Sequence, residues 1–313
     1  MATAAIRRPA VTLLPGAEVR HRLRLWCAIF AAAGVIVALS IYGYPYYRLD
    51  LAARLASPLH PILKPSGMVG LRLGMLGLFL YFLLFLYPVR KRWPWLGRIG
   101  KTRHWLDFHV LLGITAPLII TFHSAFKLQG LAGTAYWIMI AVALSGMAGR
   151  YLYAQIPRSL DATGCSLQEM ETQATELARQ LSDQAVFTPE QLAPFVRAPS
   201  RDQVRGMSLW RVVLNIVKGD LARPFQVSGL RRRLLRGVSR WLTLGGLLPS
   251  RDLRLESVIT SVRRQSWLLA KMAFLERAQQ VFHLWHVVHR PFSYSFAVLI
   301  SVHIAVMLLL GYY

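Results

Sequence analysis

The chain has 313 residues, 55% of them hydrophobic, and its mean hydropathy of +0.39 is typical of a polytopic membrane protein rather than a soluble domain. Its formal net charge is +23, but the basic residues lie between apolar segments, where membrane orientation accounts for them, so we expect no nucleic acid partner. The two cysteines, Cys27 and Cys165, form no CxxC or CxxCH motif, which disfavours covalently attached haem, thiolate-bound zinc and cysteine-bound iron–sulfur clusters.

Five segments of the chain are apolar over the roughly 20 residues that a helix needs to cross a bilayer. They are Leu25–Tyr46, Met68–Tyr87, Trp105–Phe126, Thr134–Tyr153 and Pro291–Gly311. The first is too long for the core of a signal peptide and has no clear cleavage site, so we interpret it as a retained span. The sequence therefore predicts an all-α membrane protein with a basic N-terminus at 1–24, four spans within 25–155, and a fifth span at the end of 266–313.

The loop between the second and third spans indicates the orientation. It carries six basic residues and no acidic one: Arg90, Lys91, Arg92, Arg98, Lys101 and Arg103. Because positively charged loops stay in the cytoplasm, we expect a multi-pass protein of the inner (cytoplasmic) membrane with its N-terminus inside and its C-terminus outside. The odd-numbered spans then all run outward.

Residues 156–265 contain no further apolar span and predict a cytoplasmic helical insertion. Five apolar residues at steps of three and four form one helical stripe: Leu167, Met170, Ala174, Leu177 and Leu181. Thr188–Gln191 has the pattern of a helix N-terminus with a capping box. No Gly or Pro occurs between Asp252 and Arg290, so one long amphipathic helix is expected to lead into the fifth span. The simplest interpretation is a small helical cap on the membrane surface, and its role stays open.

Two of the spans carry histidine pairs at one spacing. His109 and His123 are 14 residues apart, and so are His289 and His303 (123 − 109 and 303 − 289). Fourteen residues make about 3.9 helical turns and a rise of about 21 Å, so each pair shares one helix face and covers most of the bilayer. Since both spans run outward, His109 and His289 are expected on the cytoplasmic side and the other two on the outer side.

This arrangement predicts two bis-histidine haem b sites, an inner one at His109/His289 and an outer one at His123/His303, because a b-type haem takes an imidazole on each face of its iron. The alternative is that the histidines only form hydrogen bonds between helices. Zinc is disfavoured, since ligands about 21 Å apart on one helix cannot share a metal ion.

Three other histidines compete with these four. His283 and His286 lie close to His289, but 17 residues separate His286 from His303, which puts it about 100° off the shared face. We expect both residues, with His104, at the membrane interface; a quinone site or a third haem is the alternative. Pro291 is predicted to start the fifth helix, which would leave His289 at a helix entry.

Two arginines within the spans are candidate partners for haem propionates, Arg72 near the outer end of the second span and Arg150 near the cytoplasmic end of the fourth. Snorkelling to the headgroups is the alternative, which we favour for Arg150 and not for Arg72. Gly113, Gly146 and Gly149 would let a flat macrocycle approach a helix, or would serve ordinary helix packing. Pro117 lies between the histidines of the third span and is expected to kink it.

The histidine pattern resembles the transmembrane domain of the ferric reductase / NADPH oxidase family, in which the third and fifth helices each carry two haem-ligating histidines. It is more distantly similar to respiratory cytochrome b. The resemblance covers the five spans, matches His109, His123, His289 and His303, and implies a dihaem four-helix-type bundle. The flavin and NADPH domains of that family are not found in the sequence, and the 156–265 insertion departs from it, so we do not expect the chain to oxidise NADPH by itself.

These observations favour a dihaem cytochrome b-type subunit that relays electrons across the membrane and assigns catalysis to none of its own residues. The expected partners are membrane lipid and redox subunits, with a cytoplasmic flavin or iron–sulfur protein on one side and a periplasmic cytochrome, another acceptor or a quinone as exchange partner. A quinol-oxidising or ferric-reducing enzyme is the first alternative, and a haem-free transporter or scaffold is the second. Donor, acceptor, direction of electron flow and oligomeric state stay open.

Overall fold

The computed structural model describes residues 16–156, 165–183, 190, 199–234, 248 and 252–311. Every regular element among them is a helix, which confirms the all-α prediction for this part of the chain. The helices are α1 (Gly16–Tyr47), α2 (Leu51–Ala56), α3 (His60–Leu63), α4 (Met68–Arg92), α5 (Pro94–Gly97), α6 (Thr102–His123), α7 (Gly130–Gln155), α8 (Cys165–Ser182), α9 (Arg201–Arg205), α10 (Leu209–Leu234) and α11 (Leu253–Leu309). The predicted cap at Thr188–Gln191 lies outside the described residues apart from Glu190.

Five helical segments are long and apolar enough to cross a membrane: Glu18–Tyr47, His60–Arg92, Thr102–His123, Gly130–Gln155 and Leu253–Leu309. Each contains or overlaps one predicted span, so the count of five is confirmed. The third helix is shorter than predicted. It ends at His123 because Ala125 and Phe126 adopt left-handed backbone angles, with φ of 48° and 62°.

The predicted helix start at Pro291 is wrong, because α11 runs without a break from Leu253 to Leu309 with Pro291 inside it. A proline removes one backbone N–H, and an apolar helix in lipid tolerates that loss more readily than an end to its hydrogen bonding. His289 is therefore an interior residue of a long helix. The same continuity confirms the expected helical lead-in to the fifth span.

The described chain forms two compact units, with boundaries at 147/148 and 288/289 rather than at the residues 155/156 and 265/266 expected from the sequence. The first unit holds α1 to α6, most of α7 and the end of α11. The second holds the end of α7, α8 to α10 and the first part of α11. Because α7 and α11 contribute to both, the chain passes between the units only inside helices.

In the first unit, α4 and α6 form a hairpin closed by a buried arginine. Arg90 is 7% exposed, and its guanidinium donates to the carbonyls of Gly97 and Gly100, both at 2.8 Å, and to Thr102 Oγ1 at 2.9 Å. These acceptors lie in the connection and at the start of α6. Arg90, which the sequence analysis treated as a loop charge that sets orientation, thus also fixes how the two helices are joined.

The second unit is a helical layer around the first part of α11. Of the predicted stripe on α8, Met170, Ala174 and Leu181 are buried and Leu177 is half-buried; for Leu167 only the helical backbone is described. The buried residues pack against two groups on α11: Leu255, Val258, Ile259 and Val262, and Leu268 and Leu275. This agrees with the stripe as the core face of an insertion helix.

Candidate functional site

All four paired histidines belong to the first unit and are half-buried. His109 lies inside α6, His123 is the last residue of that helix, and His289 and His303 lie in α11. The imidazoles of His123 and His303 are close enough to interact electrostatically. The structure therefore brings together the two residues of the predicted outer site.

The His109 ring is held by a carbonyl that has lost its usual helical partner. His109 Nδ1 lies 3.0 Å from the main-chain oxygen of Leu84 on α4. In an intact helix that oxygen would accept from the N–H of residue 88, but residue 88 is Pro88, which has none. The imidazole supplies the missing donor, so a proline on one helix positions a histidine on another.

The His123 ring makes an equivalent contact one bilayer leaflet away. Its Nδ1 lies 2.8 Å from the main-chain oxygen of Gly70 on α4. The two contacts are 14 residues apart on both helices (123 − 109 and 84 − 70), as expected for antiparallel neighbours in one register. Gly74 provides the space for this ring, because a Cβ there would lie 2.6 Å from His123 Cε1.

His289 is oriented by a residue of α7. Its Nδ1 lies 3.0 Å from Ser145 Oγ, a hydroxyl that can donate or accept. A Cβ on Gly146 would lie 3.7 Å from His289 Cε1, an ordinary van der Waals distance. The small residues Ser145 and Gly146 thus form the surface of α7 against which this ring lies.

Three of the four predicted ligands therefore have Nδ1 engaged, which leaves Nε2 for a metal. Metal-binding histidines commonly have this arrangement, in which the outer hydrogen bond fixes the tautomer and the direction of the ring. Among the described residues, no three His, Cys, Asp or Glu side chains come together as metal ligands. A haem requires only two protein ligands, since its macrocycle supplies the other four, and the histidines fit that requirement.

Aromatic rings accompany the histidines on α4. The Tyr87 ring lies 5.0 Å from the His109 ring, measured between centroids, at an angle of 38°. Midway between His289 and His303, Phe296 meets Tyr81 edge-to-face at 5.7 Å. The contact between Tyr81 and Phe296 holds α11 against α4 at a level between the two histidine layers.

The structure places the other candidates as follows. Arg72 lies on α4 between Gly70 and Gly74, with an exposed side chain. Arg150 belongs to the second unit, where its guanidinium lies 6.0 Å from the centre of the Tyr153 ring. Gly149 serves helix packing, because a Cβ there would lie 2.1 Å from the Trp285 ring. Pro117 lies inside α6, and Gly113 is in ordinary contact distance of Leu84.

His104 takes part in a cluster that the sequence analysis missed. Its ring stacks on the His21 ring with centroids 3.7 Å apart. His104 Nε2 lies 3.3 Å from Glu18 Oε2, and His21 Nε2 lies 3.1 Å from Asp107 Oδ2. Two histidine–carboxylate pairs thus join α1 to the first turns of α6.

His283 and His286, the rivals of His289, lie in the second unit. The side chain of His283 is exposed. The His286 ring meets the Phe282 ring edge-to-face at 4.6 Å, and its Nδ1 lies 3.3 Å from the main-chain oxygen of the same residue. These local contacts agree with the interfacial placement expected for both.

Gly74→Ala is expected to destabilise the protein by about 1–3 kcal/mol, because the added methyl group would overlap the His123 ring. The same substitution at Gly34, where a Cβ would meet nothing within 4 Å, is the matched control and should be neutral or slightly stabilising. Thermal unfolding of the two variants in detergent measures the difference. Equal unfolding temperatures would show that Gly74 does not provide space for His123.

Comparison with known proteins adds no family to this geometry. No protein-family model, no curated protein and no solved structure matches the chain. The residues themselves must therefore carry any functional conclusion.

Proposed function

We propose that the chain is a dihaem cytochrome b-type membrane subunit that relays electrons across the bilayer. The observation that carries this proposal is the fixed orientation of the histidines at two levels: His109 and His123 each direct Nδ1 to a carbonyl of α4, and His123 lies beside His303. Purely structural histidines would not need one orientation repeated at an interval of 14 residues.

In this proposal His109 and His289 hold the inner haem, and His123 and His303 hold the outer one. A bound haem supplies a reversible one-electron change at its iron. The chain's own residues keep each Nε2 directed at the metal, keep each imidazole neutral through the apolar surroundings of the span, and hold the two sites at a separation set by the helix rise. Arg72 and Arg150 are the proposed partners of the propionates.

The redox partners are proposed to be other proteins: a flavin or iron–sulfur protein on the cytoplasmic side, and a periplasmic cytochrome or another acceptor outside, with quinone as a further exchange partner. The net charge of +23 supports an acidic cytoplasmic partner, because a basic surface attracts acidic proteins and accelerates their association. This association should therefore weaken as salt rises.

Quinol oxidation by the chain itself is the second candidate. It is favoured by the His21–Asp107 and His104–Glu18 pairs, because quinol oxidation releases protons and these groups accept them. Asp107→Asn should then slow haem reduction by quinol and leave reduction by a soluble donor unchanged. Equal rates with quinol before and after the substitution would exclude this role.

The proposed function predicts two low-spin haem b groups per chain. Purified protein made with adequate haem supply should show the absorption bands of reduced bis-histidine haem, and the pyridine haemochrome assay should yield two haems. A colourless preparation would contradict the proposal and favour the haem-free transporter or scaffold.

The pairing also predicts topology, because α6 and α11 must run in the same direction for equal spacings to place the histidines at matching levels. A reporter fused after Tyr313 should be active only outside, and one inserted near Pro249 only in the cytoplasm. If both report the same side, the pairs His109–His289 and His123–His303 are wrong even where two haems are present.

A further inference from the structure

Helix α10 has two apolar sides, of which the fold uses one. Val212 and Leu230 are fully buried and Ile216 is buried, and they pack with residues of α11 such as Phe274. The opposite side carries Trp210, Leu214, Leu221 and Phe225, which are all exposed, with Trp210 at 74% and Phe225 at 71%. At 100° per residue these four residues fall within an arc of about 60°.

We call Trp210, Leu214, Leu221 and Phe225 the α10 stripe. Four large apolar side chains on one exposed helix face are unusual for a surface in water. Helix α8 of the same unit shows the usual pattern: its described large hydrophobic side chains, Met170, Leu177 and Leu181, are buried or half-buried, and Glu171, Gln173 and Glu176 are exposed. The two helices are therefore built for different surroundings.

Their charges differ in the same sense. Helix α8 has three acidic residues and one basic one, whereas α10 has six basic residues and one acidic one. The single acid, Asp220, is engaged inside the unit, where it accepts hydrogen bonds from Tyr151 and Gln155 and pairs with Arg223. Arg211 and Lys218 are exposed beside the α10 stripe. An apolar stripe with Trp and Phe, bordered by basic residues, is the pattern of a helix that lies in the interface of an anionic bilayer.

We propose that α10 lies in the membrane interface, with the α10 stripe among the acyl chains and with Arg211 and Lys218 at the phosphates of anionic lipids. The second unit is joined to the first at 147/148 and 288/289, inside helices that belong to the candidate spans, so it is tethered within reach of a bilayer. The proposal does not depend on haem, and its failure would leave the proposed function untouched.

Spin labels on the full chain in lipid nanodiscs test this placement. In a background of Cys27→Ser and Cys165→Ser, a nitroxide is attached to Leu221→Cys or Phe225→Cys on the α10 stripe, or to Gln173→Cys on α8 as the matched control. Collisions with oxygen, which concentrates in lipid, are compared with collisions with a water-soluble nickel chelate. The oxygen-to-nickel ratio should be several-fold higher at 221 and 225 than at 173.

Two results would overturn the proposal. Ratios at 221 and 225 equal to that at 173 would place the α10 stripe in water, and protection from both reagents would place it against a protein, either a second copy or a partner subunit. The lipid charge is tested by adding Arg211→Glu and Lys218→Glu. This pair should lower the ratio at 221 in discs that contain phosphatidylglycerol and change it less in discs of phosphatidylcholine alone. An unchanged ratio in both would remove the anionic headgroups from the proposal, and circular dichroism checks that each variant is folded.

Discussion

His123→Ala should reduce the haem content from two per chain to one and abolish electron transfer across the membrane. The remaining histidine of the outer pair, His303, cannot hold a six-coordinate low-spin iron alone, while the inner pair keeps both its ligands and its hydrogen bonds to Leu84 and Ser145. Pyridine haemochrome assays give the haem count. Proteoliposomes with a donor on one side and an acceptor on the other measure the transfer, which should fall to the background of empty liposomes.

The controls for this experiment come from the chain itself. His303→Ala should give the same spectrum as His123→Ala, because each removes one ligand of the same site. His283→Ala, at an exposed position, should retain both haems. If His123→Ala and His289→Ala lose the same haem, the pairing across α6 and α11 is wrong, and if all single variants retain two haems, the histidines are not the ligands.

Arg54→Met should lower the free energy of unfolding by about 3–5 kcal/mol, since it removes charged hydrogen bonds from buried acceptors. Arg54 is 7% exposed and donates to three main-chain carbonyls, of Leu49 at 3.0 Å and of Tyr47 and Ala125 at 2.7 Å. Methionine has a similar length and no donor, so the three oxygens would lose their partner. Thermal unfolding in detergent measures the effect.

Arg48→Met is the matched control, because Arg48 is exposed six residues earlier and its loss should change stability by less than about 0.5 kcal/mol. Arg54 also fixes Ala125, two residues after His123, so Arg54→Met should weaken retention of the outer haem more than that of the inner one. An Arg54→Met protein as stable as Arg48→Met, with both haems equally retained, would show that Arg54 does not stabilise this turn.

The number and type of the membrane helices could be predicted because they depend on hydropathy summed over some 20 residues, a property that neighbouring elements barely change. Helix ends could not. Ala125 and Phe126 are left-handed residues that no composition rule predicts, and Pro291 was given the role of a helix start that a proline has in water-soluble helices. Inside an apolar helix the same residue only removes one hydrogen bond.

The candidate ligands were found from spacing alone, but what orients them was not. The partners of His109 and His123 are main-chain oxygens of α4, and a sequence does not give the register between two helices. Pro88 was the one available signal, because a proline inside a span frees the carbonyl four residues before it. The roles of Arg54 and Arg90 were missed for a related reason: charge counts indicate the side of the membrane but not whether a guanidinium folds back onto carbonyls.

The matched contacts of His109 with Leu84 and of His123 with Gly70 have a consequence for biosynthesis. A slide of α4 along α6 by one turn would break both contacts together, so the hairpin has a single favourable arrangement once its two helices are inserted. The ribosome completes this hairpin 166 residues before it reaches His289 (289 − 123). Half of each histidine pair is thus oriented early, and cofactor capture waits for the last helix to insert.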